Sequence, residues 1–137
     1  EAEHAWRWTK VIHDLGSTPL KVTHTYQTEY GKLFGMPENI LEIFCLTQVF
    51  EKRTLDQFTK HLQLPNTHPS VKEALQKMID DETGHIGWIR TEIDKYGHDN
   101  GQEKLDALMQ KLEKMDEDVY QKLSQTEPFK TYFKEII

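Results

Sequence analysis

Apolar residues recur along most of this chain every three or four positions, which is the spacing of one face of an α-helix. The two-residue alternation typical of a strand is nearly absent, and valine supplies only 5 of the 137 residues. The pattern therefore predicts an all-α protein. The pattern predicts four helical segments, at 1–15, 38–64, 69–96 and 102–124. A connecting segment at 19–37 lies between the first two. A short apolar tail follows at 129–137.

Glycine and proline mark the ends of these segments. Gly16 follows the first, the run Pro-Asn-Thr-His-Pro at 65–69 separates the third from the fourth, and residues 97–101 end the fourth. Segment 19–37 is expected to be a long connection with a short helical turn over 26–33. Because a short loop joins antiparallel helices and a long crossover joins parallel ones, segments 38–64 and 69–96 are predicted to be antiparallel neighbours in a helix bundle.

Ionisable side chains interrupt the apolar stripes of three segments. Glu51 lies in the middle of the stripe of 38–64, Glu82 and His85 occupy consecutive stripe positions of 69–96, and Glu1 and His4 share the apolar face of the first segment. Burying an unpaired carboxylate costs several kcal/mol. Five such groups on three helices therefore predict a common partner, and a metal cation would serve all of them.

The register of the two central helices supports this prediction. With the loop centred near residue 66, Glu51 and Glu82 each lie about 15 residues from it, or roughly 23 Å at 1.5 Å per residue. The two carboxylates are thus expected at the same height on neighbouring helices. Glu42, the rival to Glu51, lies off the stripe and at another height. The spacing Glu-x-x-His, which puts a carboxylate and an imidazole on adjacent turns, occurs at Glu1–His4 and again at Glu82–His85.

These residues resemble the ligand set of the ferritin-like di-iron carboxylate superfamily, which includes rubrerythrin and bacterioferritin. The resemblance covers residues 1 to about 96 and implies an antiparallel four-helix bundle with a long crossover. It also implies two iron ions, with manganese as an alternative. The metal ligands would be Glu1, His4, Glu51, Glu82 and His85. In similar proteins a carboxylate placed like Asp81 holds the ligating histidine of a neighbouring helix by a hydrogen bond.

The sequence departs from the family in one respect. The family's first helix, which carries another lone glutamate, has no counterpart in this chain. We expect that helix either upstream of Glu1 or in another subunit; the remaining interpretation is an incomplete site. Two divalent ions carry four positive charges, of which Glu1, Glu51 and Glu82 would offset three.

The last segment carries a near-heptad apolar stripe without visible chemistry. The stripe consists of Leu105, Leu108, Leu112, Met115, Val119 and Leu123. We therefore divide the chain into metal-binding bundle helices at 1–98 and a C-terminal packing or oligomerisation helix with its tail at 99–137. A homodimer or higher oligomer is expected.

Composition and charge narrow the function classes. A length of 137 residues suits one domain. A net charge of −6 argues against nucleic-acid binding, which needs a basic face, and no run approaches the roughly 18 apolar residues of a membrane span. Cys45, the single cysteine, lies in an apolar run and is expected to be a buried hydrophobe rather than a reactive thiol. The absence of disulfides favours a reducing compartment, the cytoplasm.

Two functions are therefore expected from different classes. The resemblance implies an oxidase, oxygenase or peroxidase that uses dioxygen or peroxide on an unknown small-molecule substrate. The alternative is a non-catalytic helical binding or dimerisation module of the same fold that has lost, or never completes, its metal site.

Overall fold

Six helices account for most of residues 2–136, the part of the chain that the computed structural model describes, apart from the side chains at 133, 135 and 136. They are α1 (Ala2–Asp14), α2 (Tyr26–Phe34), α3 (Ile40–Gln63), α4 (Pro69–Asn100), α5 (Gln102–Ser124) and α6 (Phe129–Ile136). No strand occurs within this range, so the predicted all-α class is confirmed. None of the helices described has the length and apolar character needed to cross a bilayer.

Helices α3 and α4 form the central pair, with the most extensive contact of any two helices in the described range. Asn39 caps α3, because its side chain accepts a hydrogen bond of 2.9 Å from the backbone N–H of Glu42. His68 caps α4 in the same way through Nδ1, which accepts from the backbone N–H of Ser70 at 3.3 Å. Pro69 then occupies the first turn, where its missing N–H costs nothing.

Helix α4 runs four residues beyond its predicted end at residue 96. Gly97 is not a stop but a buried helical position, and the N–H of Gly101 donates to its carbonyl at 3.1 Å. The helix ends at Gly101 with a φ of 99°, a conformation that favours glycine, and α5 begins one residue later. A Cβ at Gly97 would overlap Cδ2 of Leu105. The absence of a side chain there lets α4 and α5 approach closely.

Helix α5 packs on α2, α3 and α4. Leu105, Leu112, Val119 and Leu123 of its predicted stripe are buried in one core with residues of those three helices. The predicted division at 98/99 falls inside α4, and this core extends across it. Cys45 is fully buried in the same core, and burial raises the pKa of its thiol to about 11. The interpretation of Cys45 as a buried hydrophobe is confirmed.

The short helical turn expected at 26–33 within the long connection is confirmed as helix α2, which is one residue longer. Thr25 caps it by accepting from the N–H of Thr28 at 3.2 Å. Tyr30, 1% exposed, donates to the carbonyl oxygen of Leu112 at 2.7 Å, which fixes α2 on α5. At the edge of this contact the carboxylate of Glu29 accepts from Lys32 and Lys122. The pKa of Glu29 is lowered to about 2 by its hydrogen bonds with Lys122 and Lys32 and, to a smaller extent, with His24.

A buried ion pair connects α3 with α5 on the same side of the molecule. Arg53 donates through Nε to Oδ1 of Asp116 at 3.0 Å, and its guanidinium lies 4.1 Å from the ring centroid of Tyr120. The Tyr26 hydroxyl of α2 donates to the same carboxylate. Side chains of α2, α3 and α5 therefore meet at one charged contact, in which the carboxylate of Asp116 accepts hydrogen bonds from Arg53 and Tyr26.

We expect Gly97→Ala to destabilise the fold and Gly87→Ala to stabilise it. Overpacking against Leu105 costs roughly 1–3 kcal/mol and the gain in helix propensity is about 1 kcal/mol, so Gly97→Ala should lower the free energy of unfolding by up to about 2 kcal/mol. Gly87 lies in the same helix with open space where a Cβ would stand, so Gly87→Ala should raise it by about 0.5–1 kcal/mol. Urea denaturation measures both. A rise in both variants would contradict the close α4–α5 contact.

We also expect the stabilisation supplied by Glu29 to depend on pH. Its pKa is about 2 in the folded protein against 4.5 for an unperturbed carboxyl. Because the folded-state pKa is depressed, the stabilisation is fully present above about pH 5 and is lost as the pH falls towards 2. Glu29→Gln should therefore be less stable than the wild type at pH 7, and the difference should shrink below pH 5. Urea denaturation of both proteins at pH 7, 5, 4 and 3 tests this, and a difference independent of pH would refute it.

Candidate metal centre

Helix α4 supplies two of the predicted metal ligands from its buried stripe. Four apolar residues of that stripe are buried as predicted: Leu75, Met78, Ile89 and Ile93. Glu82 lies among them with a side chain only 3% exposed. Val71 is half-buried, and the side chain of His85 is 48% exposed. The carboxylate of Glu82 is thus shielded from solvent, whereas the imidazole of His85 is accessible to it.

Helix α3 brings Glu51 to the same height. Glu51, Glu82 and His85 each offer one donor atom, and these atoms all lie within 4.8 Å of one another. Two donors on opposite sides of one ion are about 4.2 Å apart when each bond is about 2.1 Å, so small side-chain shifts would let the three share an ion. Glu42, the rival to Glu51, is not in this group. Its carboxylate accepts from the backbone N–H of Glu38 at 2.7 Å, at the beginning of α3.

Helix α1 adds His4, whose side chain is 13% exposed. Its Nδ1 lies 3.3 Å from Oε1 of Glu82, and Nδ1 of His85 lies 3.2 Å from Oε2 of the same carboxylate. The two imidazole rings are 6.4 Å apart between centroids. Glu82 therefore has one imidazole at each oxygen. Glu1, the remaining predicted ligand, lies outside the described residues, and its role stays a prediction.

Asp81 fixes the orientation of His4. Its Oδ2 lies 3.3 Å from Nε2 of His4, and its Oδ1 accepts from Nζ of Lys77 at 2.7 Å. The hydrogen bond from Lys77, followed by that from His4, lowers the pKa of Asp81. A charged Asp81 favours the tautomer with the proton on Nε2 of His4, which leaves the Nδ1 lone pair directed at the Glu82 side. Carboxylates commonly orient metal-binding histidines in this way.

The donor set of the cluster suits a cation. Glu51 and Glu82 bring two carboxylates close together, and like charges at such a distance repel each other. A cation held between them would offset this repulsion. Two carboxylates and two imidazoles are nitrogen and oxygen donors of the kind that suit Fe²⁺, Mn²⁺, Co²⁺ and Zn²⁺.

Two of the predicted stripes are less buried than expected. No described residue of α1 is buried, and Leu15 at its end is 43% exposed. Ile40, the first stripe residue of α3, is 50% exposed. The deepest face of α3 instead contains Cys45 and its neighbours one turn on, because that face meets α5.

One buried polar residue near the cluster was missed by the sequence reasoning. Gln48 is 2% exposed, and nothing in the described part of the chain hydrogen-bonds its Oε1 atom. It stands one helical turn before Glu51 on α3. The signal was present, since a glutamine three positions before a stripe glutamate shares much of its face.

The other histidines lie elsewhere, as expected of residues without a spaced carboxylate. His24 pairs with Glu29, His61 approaches the Tyr132 hydroxyl, and His68 caps α4. Within residues 2–136, one group of three or more histidine, cysteine, aspartate or glutamate side chains has the spacing of a metal site. It consists of Glu51, Glu82 and His85.

Comparison with known proteins identifies no relative: no family model, no curated protein and no solved structure matches the chain.

Proposed function

We propose that this protein is a dinuclear metal carboxylate protein of the ferritin-like kind, with iron, or iron and manganese, held by His4, Glu51, Glu82 and His85. The observation that carries the proposal is the convergence of Glu51, Glu82 and His85, whose donor atoms lie within 4.8 Å of one another on two helices. The second oxygen of Glu82 faces His4 at 3.3 Å on a third helix. Glu82 would then bridge two ions, each with one imidazole.

The arrangement of the helices is consistent with such a bundle. A pair of helices joined by a short loop, α3 and α4, carries the lone glutamate and one Glu-x-x-His, and a long connection containing α2 leads to α3 from α1. Ferritin-like centres use carboxylates and histidines on facing helices in this chain order.

The chemistry that follows from this assignment is the reduction of dioxygen or peroxide with oxidation of a small-molecule substrate. The half-exposed imidazole of His85 gives a small oxidant access to the ligand set from solvent. Because oxidases, oxygenases and peroxidases share one ligand set, the reaction class is proposed only at this level.

A second candidate function rests on the same contacts. His4 and His85 each lie within 3.3 Å of a Glu82 oxygen, and as hydrogen-bond partners they would compensate the buried carboxylate without a metal. The protein would then be a non-catalytic helical module. Metal binding distinguishes the two candidates.

We expect tag-free protein, stripped with a chelator, to bind Fe²⁺ anaerobically and to retain it through dialysis. Glu82→Gln should lower the affinity at least tenfold, because it removes the one carboxylate shared by both imidazoles. Glu73→Gln, an exposed glutamate on the same helix, is the matched control and should bind like the wild type. Equilibrium dialysis with metal analysis measures all three.

Equal, weak retention by the wild type and Glu82→Gln would refute the metal assignment and favour the non-catalytic module. A wild type that binds Fe²⁺ should also oxidise it faster under dioxygen or peroxide than Glu82→Gln does, measured by the rise in ferric absorbance.

A further inference from the structure

We infer that the two ions bind in order and that the second one docks α1 onto α4. The first would bind at the α3–α4 subsite, defined as Glu51, Glu82 Oε2 and His85. The second would bind at the α1 subsite, defined as His4 and Glu82 Oε1. This inference rests on the proposed function and adds to it a coupling between metal loading and the position of a helix.

The two subsites differ in their donors. The α3–α4 subsite has two carboxylates and an imidazole within 4.8 Å of one another. From the described residues, the α1 subsite has one imidazole and one oxygen of a shared carboxylate. The first subsite can thus neutralise a divalent ion without α1, and the second cannot bind one without it.

The helices that carry the donors are held to very different degrees. Glu82 is fixed between Met78 and Ile89, which are 0% and 4% exposed, in the most extensively packed pair of helices in the described range. Donors that are already in place bind a metal without a further cost of ordering. The α3–α4 subsite is preorganised by this packing.

Helix α1, by contrast, has little that holds it. None of its described residues is buried, and among the described helices its backbone lies close to α4 alone. A groove of about 510 Å³ runs between α1 and α4, lined among others by Trp6, Val11 and Ala74. Such a gap forfeits the close packing that usually fixes two helices together.

The contacts of α1 with the central pair of helices include those of His4 at the proposed centre. His4 meets Asp81 and Glu82 of α4 at 3.3 Å each, and Trp8 reaches the ring of Phe58 on α3 at 6.1 Å between centroids. A ligand that binds only the docked state shifts the equilibrium towards it, about 100-fold at a free concentration of 100 times Kd. An ion between His4 and Glu82 is such a ligand.

The experiment uses Co²⁺ as the probe, with tag-free chain at zero, one and two equivalents. Calorimetry gives stoichiometry and affinity, and hydrogen exchange of peptides from residues 2–14 reports the docking of α1. We expect two binding steps, with protection of α1 unchanged at one equivalent and at least tenfold higher at two. His4→Ala should keep the tighter step and lose both the weaker step and the protection.

Two further variants sharpen the result. His85→Ala should lose the tighter step, because it removes a donor of the α3–α4 subsite. His13→Ala is the matched control, since His13 lies on the same helix with its side chain 88% exposed, and it should behave like the wild type.

Failure of the inference and failure of the proposed function differ in outcome. Binding of no Co²⁺ by the wild type would overturn the proposed function and the inference with it. Binding of two ions with α1 fully protected at the first equivalent, or unprotected at both, would overturn the inference alone. Loss of the tighter step in His4→Ala would also overturn the proposed order.

Discussion

The carboxylate of Glu82 is the group on which the arrangement of the proposed metal centre depends. A charge that is 3% exposed costs several kcal/mol unless a partner compensates it. Its two oxygens meet imidazoles from two helices, and Glu51 approaches from a third. Side chains from α1, α3 and α4 therefore meet at this one buried carboxylate. Asp81, the residue before Glu82 in the chain, holds His4 in the orientation that faces the Glu82 carboxylate.

Two charged clusters that involve α3 differ in composition. In one, the guanidinium of Arg53 meets the carboxylate of Asp116, and a protein cation balances a protein anion. In the other, the carboxylates of Glu51 and Glu82 lie close to the imidazole of His85, and Glu82 also meets the imidazole of His4. Both clusters use side chains of α3, and a separation of two residues turns side chains about 200° apart around a helix. Helix α3 thus contributes to a structural ion pair on one side and to the cluster of carboxylates and imidazoles on the other.

The sequence was most informative where a property depends on local helical geometry. The buried stripe of α4 follows from its period, and the proximity of Glu51 and Glu82 follows from equal distances to a short loop, because the rise per residue is constant. The sequence was less informative where a tertiary contact decides. Glycine at position 97 has the same local signature whether it ends a helix or admits Leu105 of a neighbouring one. The sequence predicts the helical turn at 26–33, but not the hydrogen bond from Tyr30 to Leu112, 82 positions away, which fixes α2 on α5.

The placement of α1 shows why the site could be predicted only in part. The amphipathic pattern of α1 indicates which face of the helix packs against the rest of the protein. The pattern does not indicate which helix covers that face. The contact that answers this, His4 with Asp81, joins residues 77 positions apart and has no period in the chain. It also belongs to the cluster itself, so under the proposed function the docking of α1 would be linked to metal binding. The chemistry of the site thus follows from the stripes of α3 and α4, whereas its completeness depends on an interaction that spans the chain.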